Sequence, residues 1–198
     1  MRRYGLPLMF VIIALFVVYR FFIKRDPKKE RVKPQAISID ENSGQFNQSY
    51  QKLLSSYYAV KDALAESDTI KTNAAAKELV TYADSLKVNE IQGDSSGLIK
   101  ETALNYAGTI SGSARGLLGE KDIIAKRREF EMISDALWSL TRTVKYSGEK
   151  VYYLYCPMAF NNQGAYWLSN NSEIRNPYFG NEMLDCGTVE DSVDYSKK

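Results

Sequence analysis

The amino-acid sequence predicts an all-α protein: an antiparallel four-helix bundle with an irregular, short-strand-containing C-terminal loop region, preceded by one N-terminal transmembrane helix. Three observations predict this class. An apolar run occupies the N-terminus, four segments with helical apolar periodicity follow, and the composition changes at Val151 towards aromatic, Asn, Gly and Pro residues. The predicted divisions are an anchor at 1–23, a charged linker at 24–44, the bundle at 45–150 and a C-terminal segment at 151–198 packed on it.

The N-terminal run, GLPLMFVIIALFVVYRFFI from Gly5 to Ile23, is interrupted only by Arg20. Nineteen residues at about 1.5 Å each span roughly 28 Å as a helix, which matches the apolar thickness of a bilayer. The residues after it, KRDPKKERVK, contain no small-residue cleavage site, so the run is interpreted as an uncleaved anchor rather than a signal peptide. The linker is charged, lacks periodicity and carries Pro27 and Pro34.

The four helical segments each place apolar residues at steps of three and four, which is the spacing of a bundle seam. Aromatic and methionine residues on these faces are interpreted as core residues. In the fourth segment, Lys126, Arg127, Arg128 and Glu129 are assigned to a charged, solvated face. The apolar faces of the first and fourth segments are Phe46, Tyr50, Leu53, Tyr57, Val60 and Leu64, and Phe130, Ile133, Leu137, Leu140 and Val144.

Composition argues against several functions. The chain has no histidine, so a Ser-His-Asp or Cys-His catalytic arrangement and a ferritin-like Glu-x-x-His metal site cannot be built. The net charge is +2, and the basic residues concentrate before Pro34, which argues against nucleic-acid binding by the domain. We therefore expect a non-enzymatic protein whose metal site, if present, uses sulfur, carboxylate or backbone oxygen.

The C-terminal segment begins with VYYLYC, a β-favouring run, and continues through the turn-rich stretches NNQG, SNNS and NPYFGN. Its aromatic residues predict packing on the bundle or, alternatively, a protein-binding surface. Its polar residues Asn161, Asn162, Arg175 and Asn176 are expected to hold the loop through backbone hydrogen bonds. The candidate binding surface comprises Tyr166, Trp167, Arg175, Tyr178 and Phe179.

The stretch CPMAFNNQGAYWLSNNSEIRNPYFGNEMLDCGTVED resembles the C-terminal signature of a bacterial family of helical domains of unknown function, and YYAVKDALAESD also fits it. That family occurs alone in exported proteins or at the C-terminal end of periplasmic adaptor subunits of heavy-metal efflux systems of the resistance-nodulation-division type. The resemblance implies a periplasmic domain on an inner-membrane anchor, near copper or related metals, with an efflux adaptor or another envelope protein as partner. The basic residues that follow the anchor favour the opposite orientation by charge alone.

The two cysteines and two methionines of this stretch permit three interpretations. Cys156 with Met158, and Met183 with Cys186, would supply soft sulfur ligands for Cu(I). In an oxidising compartment, the cysteines would instead form a Cys156–Cys186 disulfide that stabilises the tail by roughly 3–4 kcal/mol. In the third interpretation both are inert buried thiols. Met158 and Met183 are also typical gap-fillers of a core.

Overall fold

The computed structural model describes residues 42–196, and its helical core consists of four helices. Side chains that precede three of them cap their free N–H groups. Ser43 accepts a hydrogen bond from the Phe46 N–H, and Asp68 and Asp122 each accept two. The helices are α1 (Gly44–Ala65), α2 (Thr69–Asp84), α3 (Leu98–Gly119) and α4 (Ile123–Val144).

The predicted apolar faces form the core. All eleven apolar residues named for the first and fourth helices have no exposed surface. Hydrogen bonds between Tyr50 and Thr141 and between Tyr57 and Ser134, each 2.7 Å, join α1 to α4. Because the partner numbers fall along α4 as they rise along α1, these two helices run in opposite directions.

The predicted charged face of α4 is wrong at two positions. Lys126 is 1% exposed and Arg127 is 5% exposed. The Lys126 ammonium donates to the Leu117 carbonyl at 2.7 Å and to Asn73 Oδ1 at 2.8 Å, so it satisfies a carbonyl at the end of α3. Both residues lie three or four positions before Phe130, which is the spacing that places them on its buried side.

A three-stranded antiparallel sheet follows the helices, with β1 in the centre and the order β2-β1-β3. The strands are β1 (Val151–Cys156), β2 (Ala165–Ser169) and β3 (Thr188–Val193). The run VYYLYC is a strand, as predicted, but the segment is more ordered than the expected irregular loop. The N–H of Leu168 donates to the Tyr57 hydroxyl at 3.0 Å and joins β2 to α1.

The predicted membrane anchor at 1–23 and the linker up to residue 41 lie outside the described residues. Among the helices between residues 42 and 196, none has the length and apolar content needed to cross a membrane. Helix α1 begins at Gly44, one residue before the predicted start of the bundle.

Candidate functional site

The sheet brings the two cysteines together. Cys156 is the last residue of β1, and Cys186 lies two residues before β3. Because these strands pair with Tyr155 opposite Thr188, the chain places both cysteines at the same end of the sheet. Their Sγ atoms are 2.8 Å apart, and no disulfide bond joins them in this structure. Cys156 has no exposed surface, whereas Cys186 is partly exposed.

The surroundings of Cys186 favour its protonated form. Loss of solvent, followed by the hydrogen bond and charge of Cys156, raises the pKa of the Cys186 thiol to about 11, although the Met158 backbone N–H opposes this. A thiolate is the form that binds metals and attacks disulfides. Metal binding at Cys186 must therefore displace a proton at neutral pH.

Asn176 fixes the backbone around Cys186. It is fully buried and its amide makes two hydrogen bonds of 2.7 Å: Nδ2 donates to the Cys186 carbonyl, and Oδ1 accepts from the Tyr178 N–H. Its own backbone N–H donates to the Leu184 carbonyl at 2.8 Å. The predicted role of Asn176 in holding the loop is confirmed, and the loop it holds is the one that carries the second cysteine.

Both predicted methionine ligands belong to the same region. The Cys186 N–H donates to the Met183 carbonyl at 3.2 Å, and the Met158 N–H interacts with the Cys186 sulfur. Met158 is 46% exposed, and both methionines line a cavity of about 640 Å³. In the part of the chain that the structure describes, no group of three or more His, Cys, Asp or Glu residues could hold a metal. The side chains available to a metal in this region are therefore the two cysteines and the two thioethers.

The rim of this cavity contains unusual backbone conformations. Phe160, Asn161 and Asn162 have φ values of 52°, 60° and 65°, and Ser67 has a φ of 56°. Left-handed conformations cost L-residues about 1–2 kcal/mol each. Phe160, Asn161 and Ser67 all line the cavity. Asparagine adopts this conformation at little cost, so the strain at this opening lies at Phe160 and Ser67.

The five residues of the predicted binding surface occupy different environments. Trp167 has no exposed surface and Tyr178 is 4% exposed, so these two are core residues and not parts of a surface. Tyr166, Arg175 and Phe179 are partly exposed. Tyr166 stacks on Tyr153 with ring centroids 4.6 Å apart, which explains its position by packing across the strands. Protein binding by the three partly exposed residues stays a prediction.

Arg127 also belongs to this region, although the sequence predicts a solvated side chain there. Its Nε donates to the Pro177 carbonyl at 2.8 Å, and its Nη2 reaches the Leu64 carbonyl and Ser67 Oγ at 3.3 and 3.1 Å. It therefore connects α1, α4 and the C-terminal segment. Its spacing of three from Phe130 was the available signal, but the run of charged residues around it suggested a solvated face.

The fold and the site together define a helical domain with a C-terminal sheet that carries a pair of adjacent thiols. Residues 53–148 match the sequence model of a family described as "Protein of unknown function (DUF3347)". The match covers most of α1 and all of α2, α3 and α4, and ends before β1. This agrees with the predicted family of unknown function, while the association with efflux adaptors stays a prediction. No curated protein matches the chain. No solved structure matches it either.

Proposed function

We propose that this protein is a membrane-anchored periplasmic accessory domain that binds a soft metal ion, Cu(I), beside a heavy-metal efflux system and catalyses no reaction. The observation that carries the proposal is the contact between Cys156 and Cys186, whose Sγ atoms are 2.8 Å apart. Met158 and Met183, which have backbone hydrogen bonds to Cys186, supply two thioethers in the same region.

The donor set fits the metal by its chemistry. Thiolate and thioether ligands select Cu(I), whereas harder ions prefer oxygen donors. The chain has no histidine to provide a competing nitrogen site. The four sulfur residues come from β1, the turn after it and the loop before β3, so binding would tie these segments together.

Metal entry requires a small movement of the cysteines. Two sulfurs bound tetrahedrally to one metal at about 2.3 Å lie roughly 3.7 Å apart. The observed separation is 2.8 Å, so the sulfurs must move apart by about an ångström. Cys186 is the partner suited to move, because it is partly exposed and lies outside the strands, whereas Cys156 is buried in β1.

A competition titration tests the proposal. The full chain, kept in solution with a non-ionic detergent and reduced under anaerobic conditions, is titrated with Cu(I) against a chromogenic chelator. Cys156→Ser is expected to weaken binding at least 100-fold, and Met183→Leu about tenfold. The matched control is Met132→Leu, since Met132 is 54% exposed on α4 and does not line the cavity. This variant should bind as wild type does.

The same titration has two outcomes that would remove the metal site. One is equal competition for Cu(I) by wild type and Cys156→Ser, and the other is an equal loss of Cu(I) affinity in Met132→Leu and Met183→Leu.

The dependence of Cu(I) affinity on pH is a second test of the site. Because the Cys186 thiol has a pKa of about 11 and must lose its proton, apparent affinity should rise with pH through the neutral range.

A second candidate function, a non-catalytic interaction module with a Cys156–Cys186 disulfide, is favoured by the same contact and by the burial of Cys156. Cysteine pairs in exported proteins usually oxidise. A bond across the thirty positions that separate these residues would stabilise the segment by roughly 3–4 kcal/mol. One protein could perform the two functions at different times, because a reduced cysteine pair binds metal and an oxidised pair does not.

Alkylation before reduction distinguishes the two states. The full chain is isolated from cells under conditions that trap thiols, and its mass is measured with and without prior reduction. The disulfide predicts no alkylation until the chain is reduced. Two alkylated cysteines in the unreduced sample would remove this candidate and leave the metal-binding pair.

The periplasmic location is supported by the resemblance of the C-terminal segment to exported proteins. The basic residues that follow the apolar N-terminal run favour a cytoplasmic domain. A reporter that is active only in the periplasm, fused after Lys198, is expected to be active. An inactive periplasmic fusion together with an active cytoplasmic one would reverse the orientation and, with it, the proposed link to efflux adaptors.

A further inference from the structure

The cavity that Met158 and Met183 line also contains residues that the metal proposal does not use. It measures about 640 Å³, which is in the usual range of small-molecule sites. Apolar side chains from α4 and from the C-terminal segment form much of its wall, and two arginines, Arg127 and Arg128, also line it. Such a combination of apolar wall and guanidinium groups suits a ligand with an apolar body and a negative charge.

Arg127 is a buried cation without a carboxylate partner. It is 5% exposed, and the three acceptors of its Nε and Nη2 groups are two carbonyls and a hydroxyl. No hydrogen bond within residues 42–196 engages its Nη1 group, and the ion pairs of these residues involve other side chains. Loss of solvent lowers the pKa of the guanidinium, with Glu182 opposing this effect.

A buried charge is costly unless an opposite charge compensates it. Leu64 lies in the last turn of α1, so the helix end supplies about half a negative charge to Nη2. Glu182 lines the cavity but is exposed and forms no ion pair with Arg127 among the described residues. The remaining positive charge therefore faces a cavity large enough for an anion.

The rim of the cavity is preorganised. The guanidinium of Arg128 lies 4.6 Å from the ring centroid of Phe160, which holds an exposed cation above an aromatic face. Phe160 adopts this position through its left-handed backbone, with Asn161 in the same conformation. Strained residues cost about 1–3 kcal/mol each and concentrate at binding sites, where the surrounding structure maintains them. Here the strain places an aromatic ring and a second guanidinium at the opening.

We propose that this cavity binds an apolar carboxylic acid, with the carboxylate at Arg127 and Arg128 and the apolar body against Phe160, Phe179 and Ile124. Ile124 is 51% exposed, so such a body would cover apolar surface that contacts water. The acid is either a free small molecule or the C-terminal residue of a polypeptide, since both present the same carboxylate beside an apolar group. This inference does not rest on the metal proposal.

Matched pairs of acids and amides test the charge requirement. The full chain in non-ionic detergent, with a chelator present throughout, is titrated with 4-phenylbutyrate and with 4-phenylbutyramide. A second pair is an N-acetylated dipeptide ending in phenylalanine and its C-terminal amide. Binding is measured by calorimetry and by ligand-observed NMR. At least one acid should bind ten or more times as tightly as its amide, because the amide leaves the buried guanidinium without a counter-ion.

Variants of exposed residues test the location without threatening the fold. Ile124→Trp should reduce acid binding at least tenfold by filling the opening, and Arg128→Gln at least threefold. Ile70→Trp is the matched control, since Ile70 is 82% exposed and does not line the cavity. Binding of only one acid identifies the source of the carboxylate and supports the site. Equal affinity for acids and amides, no binding of either acid, or unchanged binding by Ile124→Trp would overturn it.

Discussion

The helical core and the C-terminal segment are stabilised in different ways. In the core, apolar residues at regular spacing on α1 and α4 lose all exposed surface, and each contributes through burial. The C-terminal segment also buries apolar residues such as Trp167, but single residues fix its loops: Asn176 makes buried hydrogen bonds, and Gly180 and Gly187 have positive φ values. The core can therefore be described by a repeating pattern, whereas the segment depends on single residues with specific partners.

Arg127 and Lys126 show that the two regions meet within one helix. Both lie at the start of α4, yet Lys126 binds the end of α3, while Arg127 binds the Pro177 carbonyl of the C-terminal segment. Long charged side chains bury their stems and carry their charge to a distant oxygen. The N-terminal turns of α4 thus connect a regular region to an irregular one.

The largest expected effect is a loss of core packing. Leu137→Ala should lower the free energy of unfolding by about 2–5 kcal/mol, because Leu137 has no exposed surface and the cavity left behind adds to the lost burial. Met132→Ala, on the exposed side of the same helix, should change it by less than about 0.5 kcal/mol. Urea unfolding of the full chain measures both. Equal changes would contradict the assignment of the α4 faces.

The second effect probes a single polar residue of the C-terminal segment. Asn176→Ala leaves the Cys186 carbonyl and the Tyr178 N–H without partners and should cost about 2–4 kcal/mol. It should also speed alkylation of the cysteines, because it loosens the loop around Cys186. Asn171→Ala is the comparison, since Asn171 is exposed and should cost less than about 1 kcal/mol. Unchanged alkylation in Asn176→Ala would mean that Asn176 does not hold this loop.

Replacing glycine by alanine should change the free energy of unfolding in opposite directions in the two regions. Gly180 has a φ of 60°, and a Cβ there would clash with Ser67 Oγ and with Arg127 Nη2, so Gly180→Ala should cost about 1–3 kcal/mol. Gly112 lies within α3, and no atom outside its own stretch of helix lies within 4 Å of an added Cβ, so Gly112→Ala should raise the free energy of unfolding by about 0.5–1 kcal/mol. Thermal unfolding compares them. Changes of the same sign would contradict the distinction between a strained turn and a regular helix.

The smallest effects concern pH. Hydrogen bonds from the Lys71 and Ile70 N–H groups hold the Asp68 pKa below its ordinary value, so Asp68 stabilises the fold above about pH 3.9 and loses this contribution as pH falls through its folded pKa. Loss of solvent raises the Asp135 pKa, so the native state binds a proton more strongly there, and stability falls as pH rises from about 3.9 through the folded pKa.

Asparagine variants at these positions separate the two pH effects. At neutral pH, Asp68→Asn should be less stable than wild type, and Asp135→Asn should be more stable by less than about 1 kcal/mol. Both differences should shrink at low pH, where the wild-type carboxyls are protonated. Chemical unfolding at a series of pH values measures them. Differences of equal sign at pH 7 would contradict the opposite directions of the two pKa shifts.

Regular elements were predictable because they repeat. Steps of three and four identified the cores of α1 and α4, and the run Val151–Cys156 identified β1. The strand Thr188–Val193 was missed because it is mostly exposed and polar, so it carries no apolar alternation; its pairing with β1 defines it. The burial of Arg127 was missed because its partners, Leu64, Ser67 and Pro177, lie 50 or more residues away.

For the candidate site, the sequence by itself determined the chemistry: two thiols, thioethers nearby and no histidine. It left open whether the sulfurs meet, because their separation depends on strand pairing across thirty positions. Only the tertiary structure decided that Cys156 contacts Cys186, that Trp167 and Tyr178 are buried, and that Arg127 lines a cavity. The physical reason is that local spacing specifies a helix face, whereas contacts between distant segments depend on how the faces and strands pack together.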